Sequence, residues 1–501
     1  MKADWIKETK ISRKNFLKAM GLLMLSGGVS ACGETAQETK NVLTAGELSY
    51  AADEVVTVEF SDSGISVQPE GNENLAIDGT ALTVSGSGIY VLSGNCGDGS
   101  VKVAAETENV VLLLDGLILT SADTAPIVCG KSTGVTLAVA DDTVNVLTDS
   151  EANNPENEAD NENAEKAVIK CKDGSQVLLC GSGSLTVNAL GKNGIKSGAA
   201  LEGRDAWLTI RELNLNIEAG VNDAINGEQL LNVESGTLDI AAGDDAIHCD
   251  QTLNIGAEGT DGPTIHVSTC NEGLEGASLN IFSGNIDITA TDDCLNAANS
   301  DLEDYAFEMN IFGGTIKAYS SEGDGFDSNG TMTIAGGDIS VWTASVSDNQ
   351  PLDADGLITI SGGTVLAAGG SAGMGFSLQT DQPCVTFGGS HDSGISLTGG
   401  KKFTIVDSAG ASVLDAEAVC DAGFVFYSSD RLTAEETYSM ESTLSATAQT
   451  GEVQTNRMTG GKGDFGGRFD GQAPDRGQNP QGQPPQDNGM TPPELPAASN
   501  G

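Results

Sequence analysis

Short runs of alternating apolar and polar residues, broken by Gly, Asn and Asp, recur along most of this chain. Leu82-Thr83-Val84, Ile89-Tyr90-Val91-Leu92 and Val110-Val111-Leu112-Leu113-Leu114 open the pattern. No helical period of any length interrupts it, so the runs read as strands. From Ser184 onward the runs begin to rhyme. Ser184-Leu185-Thr186-Val187, Thr237-Leu238-Asp239-Ile240, Asn285-Ile286-Asp287-Ile288, Thr315-Ile316-Lys317-Ala318 and Asp338-Ile339-Ser340-Val341 are one short strand repeated. Several are followed by an acidic turn and a second strand such as Leu253-Asn254-Ile255, Leu279-Asn280-Ile281 or Met332-Thr333-Ile334.

Aligning the chain on its turns places Ile127, Ile169, Ile195, Ile225, Ile247, Leu274, Leu295, Phe326 and Leu352 at one equivalent position, and all are apolar. From Ile195 the spacings are 30, 22, 27, 21, 31 and 26 residues, the shortest approximating one bare coil. Short strands at such a period, with one stacked apolar position, indicate an all-β parallel β-helix, a solenoid in which each coil buries its inward side chains on the next. A β-propeller would repeat at about 40 residues. Two residues past each ladder position stand Cys129, Cys171, Ser197, Gly227, Cys249, Gly276, Ala297, Ser328 and Ala354, all small, as a tight inward turn requires. The helix is expected over 53–450, with a β-rich N-terminal portion and an acidic surface insertion at 151–165.

Composition then narrows the partners. Of 501 residues 65 are Gly, and 72 Asp+Glu against 24 Lys+Arg give a net charge of −48. Nucleic acid and anionic lipid surfaces are polyanions, so both are excluded as electrostatic partners. Cation-binding is the open question.

The carboxylates are not scattered. Two residues before the ladder positions stand Ala125, Ala167, Asn193, Asp223, Asp245, Glu272, Asp293, Asp324 and Gln350. Asp244 and Asp292 precede this line, and Glu275, Asp327 and Asp353 follow the ladder residue. Equivalent positions on successive coils stack about 4.8 Å apart. Like charges there repel by roughly 3–4 kcal/mol per pair at an effective dielectric near 20. Such a line survives by fanning into water, by taking up protons, or by sharing hard cations. Calcium suits the last best, since it accepts six to eight oxygens in flexible geometry. Between Arg211 and Lys401 the only Lys or Arg is Lys317, so counter-ions are scarce. The candidate metal ligands are Asp223, Asp244, Asp245, Glu272, Asp292, Asp293, Asp324, Asp327 and Asp353.

The two ends carry a different message. Residues 1–31 hold six cations, two anions and an apolar run from Ala19 to Val29, too short to span a bilayer, which reads as a signal peptide. Val29-Ser30-Ala31-Cys32 resembles a bacterial lipobox, which implies lipidation of Cys32 and an exported, membrane-anchored protein on the extracellular face. Ser12-Arg13-Lys14-Asn15-Phe16-Leu17-Lys18 resembles a twin-arginine motif with Lys14 in place of the second arginine. Residues 32–52 read as a tether, and the Gly/Pro/Gln-rich 451–501 as a disordered tail. Nine further cysteines match no zinc spacing and read as buried small hydrophobes.

The turns Gly243-Asp244-Asp245-Ala246-Ile247, Thr291-Asp292-Asp293-Cys294-Leu295 and Glu322-Gly323-Asp324-Gly325-Phe326-Asp327-Ser328-Asn329-Gly330 resemble those of the bacterial calcium-binding, β-helical carbohydrate-binding domain family. The lead-in Leu114-Asp115-Gly116-Leu117-Ile118-Leu119-Thr120-Ser121 is similar too. The resemblance implies a right-handed helix, calcium on the acidic turn positions, and a surface module that binds cellulose or pectin-like polysaccharide such as polygalacturonate. The same Asp pair resembles polygalacturonase-type hydrolases, but their Asn-Thr-Asp, Gly-His-Gly and Arg-Ile-Lys motifs are absent, and His248, His266 and His391 lie in no such context. A β-elimination lyase would need a Lys or Arg base, for which only Lys317 is at hand, more simply an outward strand cation. A non-catalytic binder is favoured over enzyme and over a surface stalk or adhesin. Tyr319 and Trp342, at equivalent outward positions, are the candidate sugar platform, with a packing ladder under a loop as the plainer alternative.

Overall fold

The computed structural model describes residues 55–302, 305–344, 349–369, 377–388, 395–441 and 443–454. The signal peptide, Cys32, the tether and His391 lie outside the described residues, as does 455–501. The described chain is all-β, with one 3₁₀ turn at Glu151–Asn153.

Three ladders of parallel strands run through the stack. In the first, Ser184–Ala189, Leu213–Ala219, Gly236–Ala242, Thr264–Thr269, Asn285–Ala290, Thr315–Ser320, Asp338–Thr343 and Thr364–Gly369 pair in order. Alternation points Leu215, Leu238, Ile265, Ile286, Ile316 and Ile339 inward, one above another. The second ladder contains the turns. Val101 pairs with Ile127, and the register then runs Ile169, Ile195, Ile225, Ile247, Leu274, Leu295 and Phe326. An isolated bridge extends it to Leu352. Every position of the sequence-derived ladder is thus in register, and each of these side chains is essentially fully buried. The third ladder includes Gln176–Cys180, Trp207–Arg211, Leu230–Val233, Glu308–Ile311, Thr331–Ile334 and Ile358–Ile360.

Small residues before the ladder positions let coils approach closely. A Cβ on Gly273 would sit 2.2 Å from the Cys294 carbonyl oxygen, and one on Gly325 would sit 2.5 Å from that of Pro351. The cysteines behave as expected from the sequence. All nine described are free thiols and most are buried, with Cys129 and Cys171 paired across adjacent coils.

Two parts of the fold depart from the sequence reading. The range 53–450 is not parallel throughout. Phe424–Ser428 pairs antiparallel with both Thr364–Gly369 and Ser377–Gly388, covering edges that would otherwise be open. Ser412–Glu417, Lys402–Val406, Thr437–Met440 and Leu444–Thr447 form a separate antiparallel sheet. The last strand, Gln449–Gln454, enters the stretch assigned to the tail because it pairs with Ser377–Gly388. The insertion at 151–165, by contrast, is a surface segment pinned from beneath. Asn153 Nδ2 donates to Asp149 Oδ2 (2.8 Å) and the Ala167 carbonyl (3.0 Å), and Asn154 Nδ2 to the Gly191 carbonyl (3.2 Å).

The ladder makes a quantitative demand. Ile225, clamped between Ile195 and Ile247, is fully buried, so Ile225→Ala is expected to cost about 2–5 kcal/mol in denaturant titrations. Ile118→Ala, on a side chain 42% exposed, should stay within about 0.5 kcal/mol.

Candidate metal centre on the turn ladder

One residue past the ladder position, a second line of side chains stacks along the coils. Cα pairing runs Lys170, Lys196, Asn226, His248, Glu275, Asn296 and Asp327. Asp353 follows Leu352 on the next coil. The line begins basic, turns neutral and ends acidic.

Where stacked side chains can both donate and accept, they satisfy one another. Asn254 Nδ2 donates to Asn232 Oδ1 (2.9 Å), Asn280 to Asn254 (3.0 Å) and Asn310 to Asn280 (3.0 Å). Carboxylates only accept, so a stack of them must find donors or positive charge elsewhere.

Some of the nine sequence-derived ligands find donors in the protein. Asp223 accepts from Asn226 Nδ2 (2.5 Å) and from the Asp245 amide (3.3 Å). Glu272 Oε2 accepts from Asn296 Nδ2 (2.8 Å), and Asp293 Oδ1 from the Asp324 amide (2.7 Å). The Gln350 amide donates to Asp324 Oδ1. These contacts tie each coil to the next. They do not neutralise the charge: burial pushes Glu272 and Asp293 each up to about 8. Asp223 is raised by burial and by Asp245, and half-buried Asp244 for the same two reasons. Asp292 is exposed and stands outside the two clusters that follow.

The first cluster joins Asp324, Asp327 and Asp353, whose nearest carboxylate oxygens all lie within 4.8 Å of one another. Burial, with Asp353 adding repulsion, pushes Asp327 up to about 6. Gln350, one coil beyond Asp324 on the same line and 4% exposed, has a side-chain Oε1 that accepts no hydrogen bond. Three carboxylates on two adjacent coils, with a buried amide oxygen that accepts no hydrogen bond on the neighbouring position, make an all-oxygen donor set of the kind calcium takes.

The second cluster joins Asp245, His248 and Glu275. His248 Nδ1 faces Asp245 Oδ2 (3.2 Å) and Glu275 Oε2, and Nε2 faces Asp250 Oδ1 (2.8 Å). Burial alone would push the imidazole down, but hydrogen bonds to these three carboxylates override it and hold His248 protonated well above its usual range. His248 is therefore the counter-ion that a search of Lys and Arg alone overlooks. It stands on the same position as Glu275, Asp327 and Asp353, one residue past the ladder, which is the signal in the sequence that marks it.

Tyr319 and Trp342 do not form an open platform. They are cross-strand partners as expected. Trp342, however, is 1% exposed, edge-on to Phe403 at 6.2 Å, with its Nε1–H donating to Ser340 Oγ (3.0 Å). Tyr319 packs against the same cluster of Leu366, Phe387, Tyr427 and Tyr438. The antiparallel C-terminal sheet covers this face, so Trp342 offers no ring to a sugar and the packing alternative holds. Phe312, 48% exposed and stacked on Phe282 at 5.2 Å and 12°, is the outward aromatic pair the sequence reading passed over.

The profile of the family described as "Carbohydrate-binding domain-containing protein" matches residues 78–373 and 255–452, most of the chain. The chain belongs to this family. A protein of the same description from Acetivibrio thermocellus is 32% identical over 146 residues, 29% of this chain and 50% of the relative. The match thus spans about half the length of that curated relative. A solved structure described as a polysaccharide lyase-like protein from C. thermocellum, a gadolinium derivative, is 23% identical, covering 61% of this chain and 97% of that one with a TM-score of 0.36.

The raised acids set a pH dependence. Glu272, Asp293 and Asp327 hold their protons more tightly folded than unfolded, so their contribution to stability is full below about pH 4 and is lost as pH rises toward 8. In chelator, the melting temperature is expected to fall across that window, and saturating calcium to remove the share of the fall that comes from Asp327. Identical profiles with and without calcium would contradict this.

Proposed function

We propose that this protein is an exported, lipid-anchored surface module, coiled as a right-handed parallel β-helix, that holds acidic or cellulosic polysaccharide through calcium on its turn ladder. The observation that carries the reading is the Asp324, Asp327 and Asp353 cluster, together with buried Gln350, whose backbone N–H donates to Asp324 and whose Oε1 accepts no hydrogen bond. Membership of a carbohydrate-binding domain family supports the sugar as partner.

The chain's own contribution is placement. Parallel pairing of Leu295–Ala297 with Phe326–Ser328, and the bridge from Phe326 to Leu352, bring carboxylates from two coils to one point. Asp293 and Asp324 each spend one oxygen on the amide of the next coil, which locks the turns before any ligand arrives. Bound calcium would present positive charge to a uronate carboxylate or to sugar hydroxyls, converting a repulsive acidic face into an adhesive one. Asp324, Asp327 and Asp353 would hold it, with Gln350 Oε1 as an amide oxygen in reach of the same line.

A binder is preferred to a lyase on position. A lyase base must reach the substrate carbon beside the cation. Lys317 is exposed in register with Asp287 and Ser340, on the first ladder and not on the turn line.

Retention of polygalacturonate and cellulose should be measured by affinity electrophoresis with calcium and with chelator. Retention of at least one that chelator abolishes and calcium restores is expected, weakened at least tenfold by Asp327→Asn with Asp353→Asn. Release of an unsaturated, ultraviolet-absorbing product would overturn the non-catalytic reading. Failure to retain any polysaccharide would leave a structural stalk.

A further inference from the structure

The Asp245, His248 and Glu275 cluster differs in chemistry from the all-oxygen cluster. We propose that it is a second cation site, one that takes a borderline divalent ion of the zinc, cobalt or manganese type, with His248 Nδ1 as the selecting ligand. The proposal depends on neither calcium nor polysaccharide.

Three features of the geometry carry it. First, the ligand atoms of the three side chains lie within 4.8 Å of one another, and all three side chains are largely buried, at 12%, 17% and 14% exposure. The separation of 3.2 Å between His248 Nδ1 and Asp245 Oδ2 suits two ligands on one ion at metal–ligand distances of about 2.0–2.2 Å, whereas Glu275 Oε2, in direct hydrogen-bond contact with Nδ1, would have to draw back to admit the ion. Second, the far ring nitrogen is already engaged. His248 Nε2 meets Asp250 Oδ1 at 2.8 Å, the carboxylate–histidine arrangement that fixes a ligand imidazole's tautomer and turns its other lone pair toward a metal. In the metal-free chain the imidazolium donates Nε2–H to Asp250 and Nδ1–H toward Asp245 and Glu275; a metal would take the place of the Nδ1 proton, with Nε2–H still donated to Asp250. Third, and outside the cluster, Asn296 stands directly beside Glu275 on the following coil. It is 7% exposed, its Nδ2 is committed to Glu272, and its Oδ1 accepts no hydrogen bond. A buried amide oxygen left over at that point on the line suits an extra ligand or a metal-bound water. Imidazole nitrogen discriminates for zinc-like ions and against calcium, which takes oxygen. Asp250 acts as a positioning residue.

The test is titration of the chelator-stripped full chain with Co²⁺ alone, read by visible absorption, and with Zn²⁺ alone by competition against a chromophoric chelator. One equivalent of Co²⁺ with ligand-field bands is expected. His248→Gln should weaken both ions at least tenfold while calcium binding is retained, and Asp327→Asn with Asp353→Asn should do the reverse. Asp250→Asn should weaken zinc by about 10- to 100-fold. Should His248→Gln fail to fold, Mn²⁺ bound to the unaltered protein and read by electron spin-echo modulation keeps the question decidable, since an imidazole nitrogen must appear. Absence of stoichiometric Co²⁺ uptake, or uptake unchanged by His248→Gln, would overturn the proposal and leave His248 as an imidazolium counter-ion only.

Discussion

Parallel pairing of one coil with the next, in register at the turn ladder, is the constraint on which the rest of this molecule depends. It stacks every side chain on its equivalents at about 4.8 Å, so whatever one coil places at a position accumulates along the whole stack. Apolar residues accumulate into a core: Ile195, Ile225, Ile247, Leu274 and Leu295 bury one another with no exposed remainder. Amides accumulate into a self-satisfying ladder, Asn232 to Asn310. Carboxylates accumulate into an unpaid charge, and the protein's own answers are partial: amide donors from the next coil, raised proton affinities, and one imidazole among three acids.

That same constraint decides how much was legible in the sequence. A stacked apolar position needs only repetition to be recognised, and aligning the turns places Ile127 through Leu352 in the register the structure shows. The acidic line was legible for the same reason. His248 is less legible because a single histidine does not repeat, and its charge depends on three carboxylates from its own and the next coil that only the fold brings together. Asn296 and Gln350 escaped for a different cause. A buried oxygen without a donor is a property of packing and leaves no mark on composition.

Trp342 shows the complementary limit. Its outward position was read correctly, since it pairs with Tyr319 on the adjacent coil. What covers it comes largely from strands later in the chain, Lys402–Val406 among them. Local periodicity says which face a side chain takes, whereas a later, non-repeating segment decides whether that face meets water. The antiparallel sheet has no ladder partner and so no rhyme by which to be found.

Calcium-edge anomalous diffraction from crystals grown with calcium tests the central claim most directly, namely that stacked carboxylates on the turn ladder hold cations. The account requires an anomalous peak bounded by the Asp324, Asp327 and Asp353 carboxylates, with Gln350 Oε1 turned toward it. Well-ordered carboxylates at that point with no peak, the three side chains solvated or protonated at saturating calcium, would contradict it.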